Sequence, residues 1–294
     1  MTFKPGKHAP VIVAAGVIVF VCFLRLLHLD LFERLERITY DGRARAALRF
    51  PAPAATNLAF VSIDESSIKA VLSGKLGYSF GLLWPRQVYG RLIDELSTEG
   101  ARAVGFDVLF GELRRDQQAP VMMANGQLIE SDDYFASEMR QAGNVILAVT
   151  PEVWPPEEFV TNALALGDMM TEREYELFLR RVKAFRIYRR WHPYILAAAA
   201  ADQFNLDLDH AIVVPGKIIV PQNGTTNVVE IPVDAKTNFA SADLFGDSLP
   251  PGVPAHARAF RDDIVWHMGV VLAAQQLGLD LKDANIDLPG GRIV

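Results

Sequence analysis

The sequence predicts an α/β fold: a mainly parallel sheet flanked by helices, with β-hairpin additions in the second half and one N-terminal transmembrane helix. Three stretches carry that expectation. Leu82 to Phe110, LLWPRQVYGRLIDELSTEGARAVGFDVLF, reads as one amphipathic helix followed by one buried strand. Lys217 to Val233, KIIVPQNGTTNVVEIPV, sets Asn223-Gly224 between two alternating apolar runs, which is a hairpin signal. Residues 9–29 are almost uniformly apolar, long enough for a helix across a ~30 Å hydrocarbon core.

The chain of 294 residues is long enough for a sizeable core. Its net charge of −6 argues against a general nucleic-acid binder, which needs a basic surface to neutralise phosphates. A single cysteine, Cys22, excludes an intrachain disulfide and a Cys-based zinc site. No GxGxxG or GxxxxGK[ST] follows a strand, and no HExxH or GxSxG occurs, so no cofactor, metal site or catalytic residue is assigned.

In chain order, residues 1–8 form a short tail with Lys4 and Lys7. Residues 9–29 come next as an uncleaved signal-anchor, because no small-x-small cleavage site follows the apolar run. Leu31, Leu35 and Ile38 continue one helical face into a juxtamembrane helix over 30–50. That stripe suits pairing with a second copy of the chain, a homodimer. Pro51 and Pro53 end the helix. The arginines beyond the span (Arg34, Arg37, Arg43, Arg45, Arg49) outnumber the lysines before it, which by charge alone favours a cytoplasmic location for residues 30–294.

Leu58 to Ile63 reads as a strand, and Asp64 or Ser66 as the cap of a short helix beginning near Ile68. In the central helix Val88, Leu92, Ile93 and Leu96 form one stripe, and Gly100 supplies the positive-φ residue of a helix end. Ala103 to Phe106 lacks polar alternation, as expected of a strand covered on both faces. Asp132 to Ala142 is a further helix and Val145 to Val149 a further strand. In a parallel sheet Asp64 and Asp107 end neighbouring strands on one edge, within reach of Arg86, and would make a polar pocket for a small ligand or cation. The plainer alternative is that Asp64 caps a helix and that Asp107 pairs with Arg86 or Arg43.

Four motifs in order then carry a resemblance: Asp41-x-Arg43; Ile63-Asp64-Glu65-Ser66-Ser67; Trp84-Pro85-Arg86; and Gly100 to Phe110, GARAVGFDVLF. Asp116 and Asp133 to Val149 add a further block. Over residues 38 to 150 the chain resembles the CHASE extracellular sensor domains of the second type, which stand outside the membrane in bacterial adenylate cyclases, histidine kinases and serine/threonine kinases. The resemblance implies an extracytoplasmic sensor over 51–294 on an inner-membrane anchor, against the charge rule, with no catalysis of its own. Its signal would be a small molecule or protein, and Asp64, Glu65, Trp84, Arg86 and Asp107 would line the functional edge. The competing reading is a membrane-anchored α/β enzyme using Asp64 and Asp107 as carboxylates.

In the second half, Glu172 to Trp191 reads as an amphipathic helix with acids first and a solvated basic face after, inside an insertion over about 151–193. Residues 205–216 and 278–290 echo one another. The second copy reaches Arg292-Ile293 where the next strand should begin, an expected unpaired edge that suggests an incomplete sensor domain. His192, His256 and His267 read as structural. Pro250 to Pro254 reads as a loop.

Overall fold

The computed structural model describes residues 9–26, 30–47, 49–50, 57–75, 84–115, 119–171, 182–201, 205–245, 254–287 and 292–293. It divides into two compact units, 1–69 and 70–294.

The first unit contains helices α1 (Ala9–Leu26) and α2 (Asp30–Ala47), and the start of α3 (Glu65–Leu72). Within α1, burial is described for residues 11–24 only, a run of roughly 21 Å at 1.5 Å per residue. Among the described residues no helix is long and apolar enough to cross a membrane. Leu35 and Ile38 are exposed on α2, whereas the side chain of Leu31 lies outside the described region. Leu58 to Ile63 forms no strand, contrary to expectation. The segment is in no sheet, and Phe60 is 88% exposed. Strand propensity is realised only against a partner edge, and this run has none among the described residues. Phe60 therefore does not share a sheet with Phe106.

The second unit is built on a three-stranded parallel sheet in the order β1 (Val104–Phe106), β4 (Val145–Val149), β5 (Ala165–Asp168). The short antiparallel pair β2 (Val121–Met122) and β3 (Leu128–Ile129) lies between β1 and β4 in the chain. β4 is buried along its whole length, as its unbroken apolar run requires. On one face Val145 and Leu147 join Val104 and Phe106 under α4 (Arg86–Thr98) and α5 (Ser131–Ala142). Phe106, Phe110, Phe135 and Tyr89 meet there edge to face, with ring centroids 5.2 to 6.3 Å apart in the Tyr89 pairs. Phe159, on α6 (Glu157–Asn162), closes that cluster. On the other face Ile146 and Ala148 pack with Met268 and Val271 of α9 (Met268–Leu277).

The glycines of the strands make this second face possible. A Cβ on Gly167 would stand 2.9 Å from the Met268 backbone, and one on Gly105 would stand 3.1 Å from the Met268 sulfur. The end of α4 follows the expected chemistry: Gly100 has φ +85°, its N–H donates to the Ser97 carbonyl and that of Ala101 to the Leu96 carbonyl.

The stretch read as a helix over 172–191 is corrected where it is described. Phe185–Trp191 is strand β6, antiparallel to β12 (Phe260–Trp266) over seven residue pairs. Residues 172–181 lie outside the described region. The charge order suggested a helix, but the arginines find cross-strand acids instead: Arg189 binds Asp262 through two 2.8 Å contacts, and Arg190 binds Asp263 at 2.6 Å. Arg186, Arg189 and Arg190 are therefore each paired with an acid.

A second core lies beyond this ribbon. The meander β7 (Ile212–Val214), β8 (Lys217–Pro221), β9 (Val228–Pro232) packs Ile218, Val220 and Ile231 with Ile195 of α7 (Pro193–Ala200) and Phe239 of β10 (Asn238–Ala240). β10 pairs with β11 (His256–Arg258), and α8 (Ala242–Phe245) lies between them in the chain. The β8–β9 hairpin turns at Asn223-Gly224 as expected, with Gly224 at φ +75°. The echo holds too, because β13 (Ile286–Asp287) pairs with β14 (Arg292–Ile293) as β7 pairs with β8. The final strand is thus paired rather than bare.

Candidate functional site

Helices antiparallel to the strands of a parallel sheet bring their N-termini to its C-terminal edge, where polar groups gather. Arg86 opens α4 there, and Asp132 lies in the first turn of α5. Arg86 is 2% exposed and Asp132 is fully buried; their Nε and Oδ1 atoms are 3.6 Å apart. Arg86 Nη2 donates to the Glu112 carbonyl at 3.3 Å, and the guanidinium lies over the Phe110 ring at 4.6 Å. The Arg114 N–H donates to Asp132 Oδ2, and the Gln87 N–H to Ser131 Oγ at 2.9 Å. Burial lowers the Arg86 pKa to about 10, helped by the charge of Arg114 and opposed by Asp132. The group stays charged at neutral pH and ties α4 to α5.

The other expected site residues divide between the two units. Asp107 is exposed at the end of β1 and has no hydrogen bond or ion pair among the described residues, so the expected pairing with Arg86 is not made. Trp84 is half-buried against the aromatic cluster. Asp64 and Glu65 belong to the first unit. Asp64 ends no strand, so the expectation of two carboxylates closing neighbouring strands is not met. Asp64 caps α3 instead, its Oδ1 accepting from the Ser67 N–H at 2.8 Å and from the hydroxyls of Ser67 and Ser66 at 2.6 and 2.8 Å. These donors hold its carboxyl at about 2, Ser67 contributing most. Glu65 pairs with Lys69 at 2.7 Å, one turn along α3.

A group that sequence reasoning missed closes the third strand. Asp168, at the end of β5, is fully buried. It accepts from the Tyr188 hydroxyl at 2.6 Å, from Arg186 Nε at 3.0 Å and from the Met170 N–H at 3.0 Å. Tyr188 is pushed well above its ordinary pKa, by burial first and then by Asp168. An acid ending a short apolar run, as Asp107 ends β1, was the available signal. It was hidden because residues 151–193 read as an insertion. Two side-chain donors and one backbone N–H hold this carboxylate, which suits a structural latch between β5 and β6.

His192 and His267 each accept a backbone N–H, from Tyr194 and Gly269, and so cap α7 and α9. Among the described residues no group of three or more His, Cys, Asp or Glu could hold a metal ion. Asp116, in the further sequence block, lies outside the described residues.

The chain matches no curated protein and no solved structure. A family model, the CHASE2 domain, matches residues 15–267. That span takes in the later part of α1, all of α2, the parallel sheet and the ribbon, and the chain therefore belongs to the CHASE2 domain family, a sensory domain family of signal-transduction receptors.

Proposed function

We propose that the chain is the extracytoplasmic sensor region of a bacterial membrane-anchored receptor, without catalytic activity of its own. Residues 9–29 are its single span, and a state change in the α/β unit passes to a cytoplasmic effector such as a nucleotide cyclase or kinase. The observation that carries this reading is the family match over residues 15–267. The apolar composition of α1 supports the anchor, with only Arg25 charged between Ala9 and Leu26. A ligand shifts such a domain only through differential affinity for two arrangements. In this reading Trp84, Arg86 and Asp107 form the responsive edge of the sheet, and Asp64 and Glu65 act at the start of α3. Arg86 is the residue best placed to report movement of α4 against α5.

Position 107 tests both location and site. In a Cys22→Ser background, Asp107→Cys in spheroplasts should react with a membrane-impermeant maleimide. Reaction only after the membrane is broken would overturn the extracytoplasmic assignment. In the intact receptor, Asp107→Ala and Arg86→Ala should change signalling output, and unchanged output from normally folded protein would remove this edge from the proposal.

A further inference from the structure

β5 runs beside β12, and a single parallel bridge, between Asp168 and His267, joins the end of β5 to the residue that follows β12. A cavity of ≈740 Å³ lies between Leu164 to Leu166 and Ile264 to Trp266, with α9 and the chain leaving it at Gly278 as its other walls. That volume lies within the ~300–1,000 Å³ of small-molecule sites. Trp266 is held edge-on to Phe185 at 5.4 Å and gives the cavity a fixed aromatic wall. Val271 and Ala274 present the buried face of α9.

The charges define what fits. The charged lining residues are Asp280 and Lys282, both exposed and of opposite sign. Asp280 also accepts the Lys282 backbone N–H at 2.9 Å. A charged ligand would enter apolar walls without a buried counter-charge, at a large desolvation cost. Gln275 is half-buried in the lining and offers an uncharged amide.

We propose that this cavity binds a neutral, mainly apolar small molecule with at most one or two hydrogen-bonding groups. The occupant bears on β12, whose Val265 packs with Tyr188 and Val149 beside the Asp168 latch. The signalling consequence rests on the sensor reading above, whereas binding itself does not.

The test is photolabelling of the full chain in lipid nanodiscs with 3-trifluoromethyl-3-phenyldiazirine, a neutral apolar reagent, followed by peptide mass mapping. Saturable labelling within residues 264–284 is expected, displaced by naphthalene and not by naphthalene-1-sulfonate. Ala274→Trp, which places an indole inside the cavity, should cut that labelling at least tenfold; Leu279→Trp, at an exposed position of the mouth, should cut it without disturbing the core. Labelling of α1 serves as the internal control. Labelling no higher than on surface peptides, equal displacement by the sulfonate, or indifference to both variants would overturn the proposal. Saturable labelling with no effect on receptor output would leave the cavity standing and remove its coupling to signalling. Output that responds to a signal without such labelling would remove the cavity proposal and leave the sensor reading standing.

Discussion

At the scale of single residues, the acids separate by what donates to them. Asp64 is solvent-exposed, yet three donors from two serines depress its pKa from the usual 3.8 to about 2. A depressed carboxyl contributes stability that is present above the unfolded value and lost as pH falls toward the folded one. The cap on α3 should therefore persist to about pH 2. Carbon-13 titration of the Asp64 carboxyl should give a midpoint near 2 that moves up in Ser67→Ala, and an ordinary midpoint in the parent chain would show that the cap does not form. This role was legible beforehand, because an acid three residues ahead of a serine at a helix start is a local signal. The Asp168 latch was not. Its side-chain donors lie 18 and 20 residues away on another strand, and pairing across that distance leaves no local pattern.

At the scale of elements, legibility followed burial. β4, α4 and α5 announced themselves through apolar runs and stripes that the packing then used. β6 did not, because the order of acids first and arginines after over 172–191 fits a helix until Asp262 and Asp263 lie opposite. The α4–α5 contact carries a sharper expectation. Gly90 is buried at that crossing, where a Cβ would lie 2.8 Å from Tyr134 Cε1 and 3.4 Å from Glu138 Cγ. Alanine gains up to about 1 kcal/mol in helix propensity, but overpacking costs about 1–3 kcal/mol. Gly90→Ala should thus lower stability by up to about 2 kcal/mol in urea unfolding. A midpoint unchanged or raised would mean that the Tyr134 ring yields freely.

At the scale of the whole molecule, the exposed Leu35 and Ile38 of α2, with Leu31, form the face expected to pair with a second copy. In a Cys22→Ser background, cysteines at these positions should form disulfide dimers in membranes, whereas Glu36→Cys, pointing away from that stripe, should not; equal yields would remove the dimer face. Hairpins and helices were readable here, but the arrangement of two cores was not, since nothing local in β6 or β12 says that one ribbon serves both. That ribbon has a further consequence. Trp191 and Phe260 meet edge to face at one end, within the meander's core, and Phe185 and Trp266 at the other, beside α9. Loosening either core strips the same seven residue pairs from the other. The sheet and the meander should consequently melt as one cooperative body, with no stable half left behind.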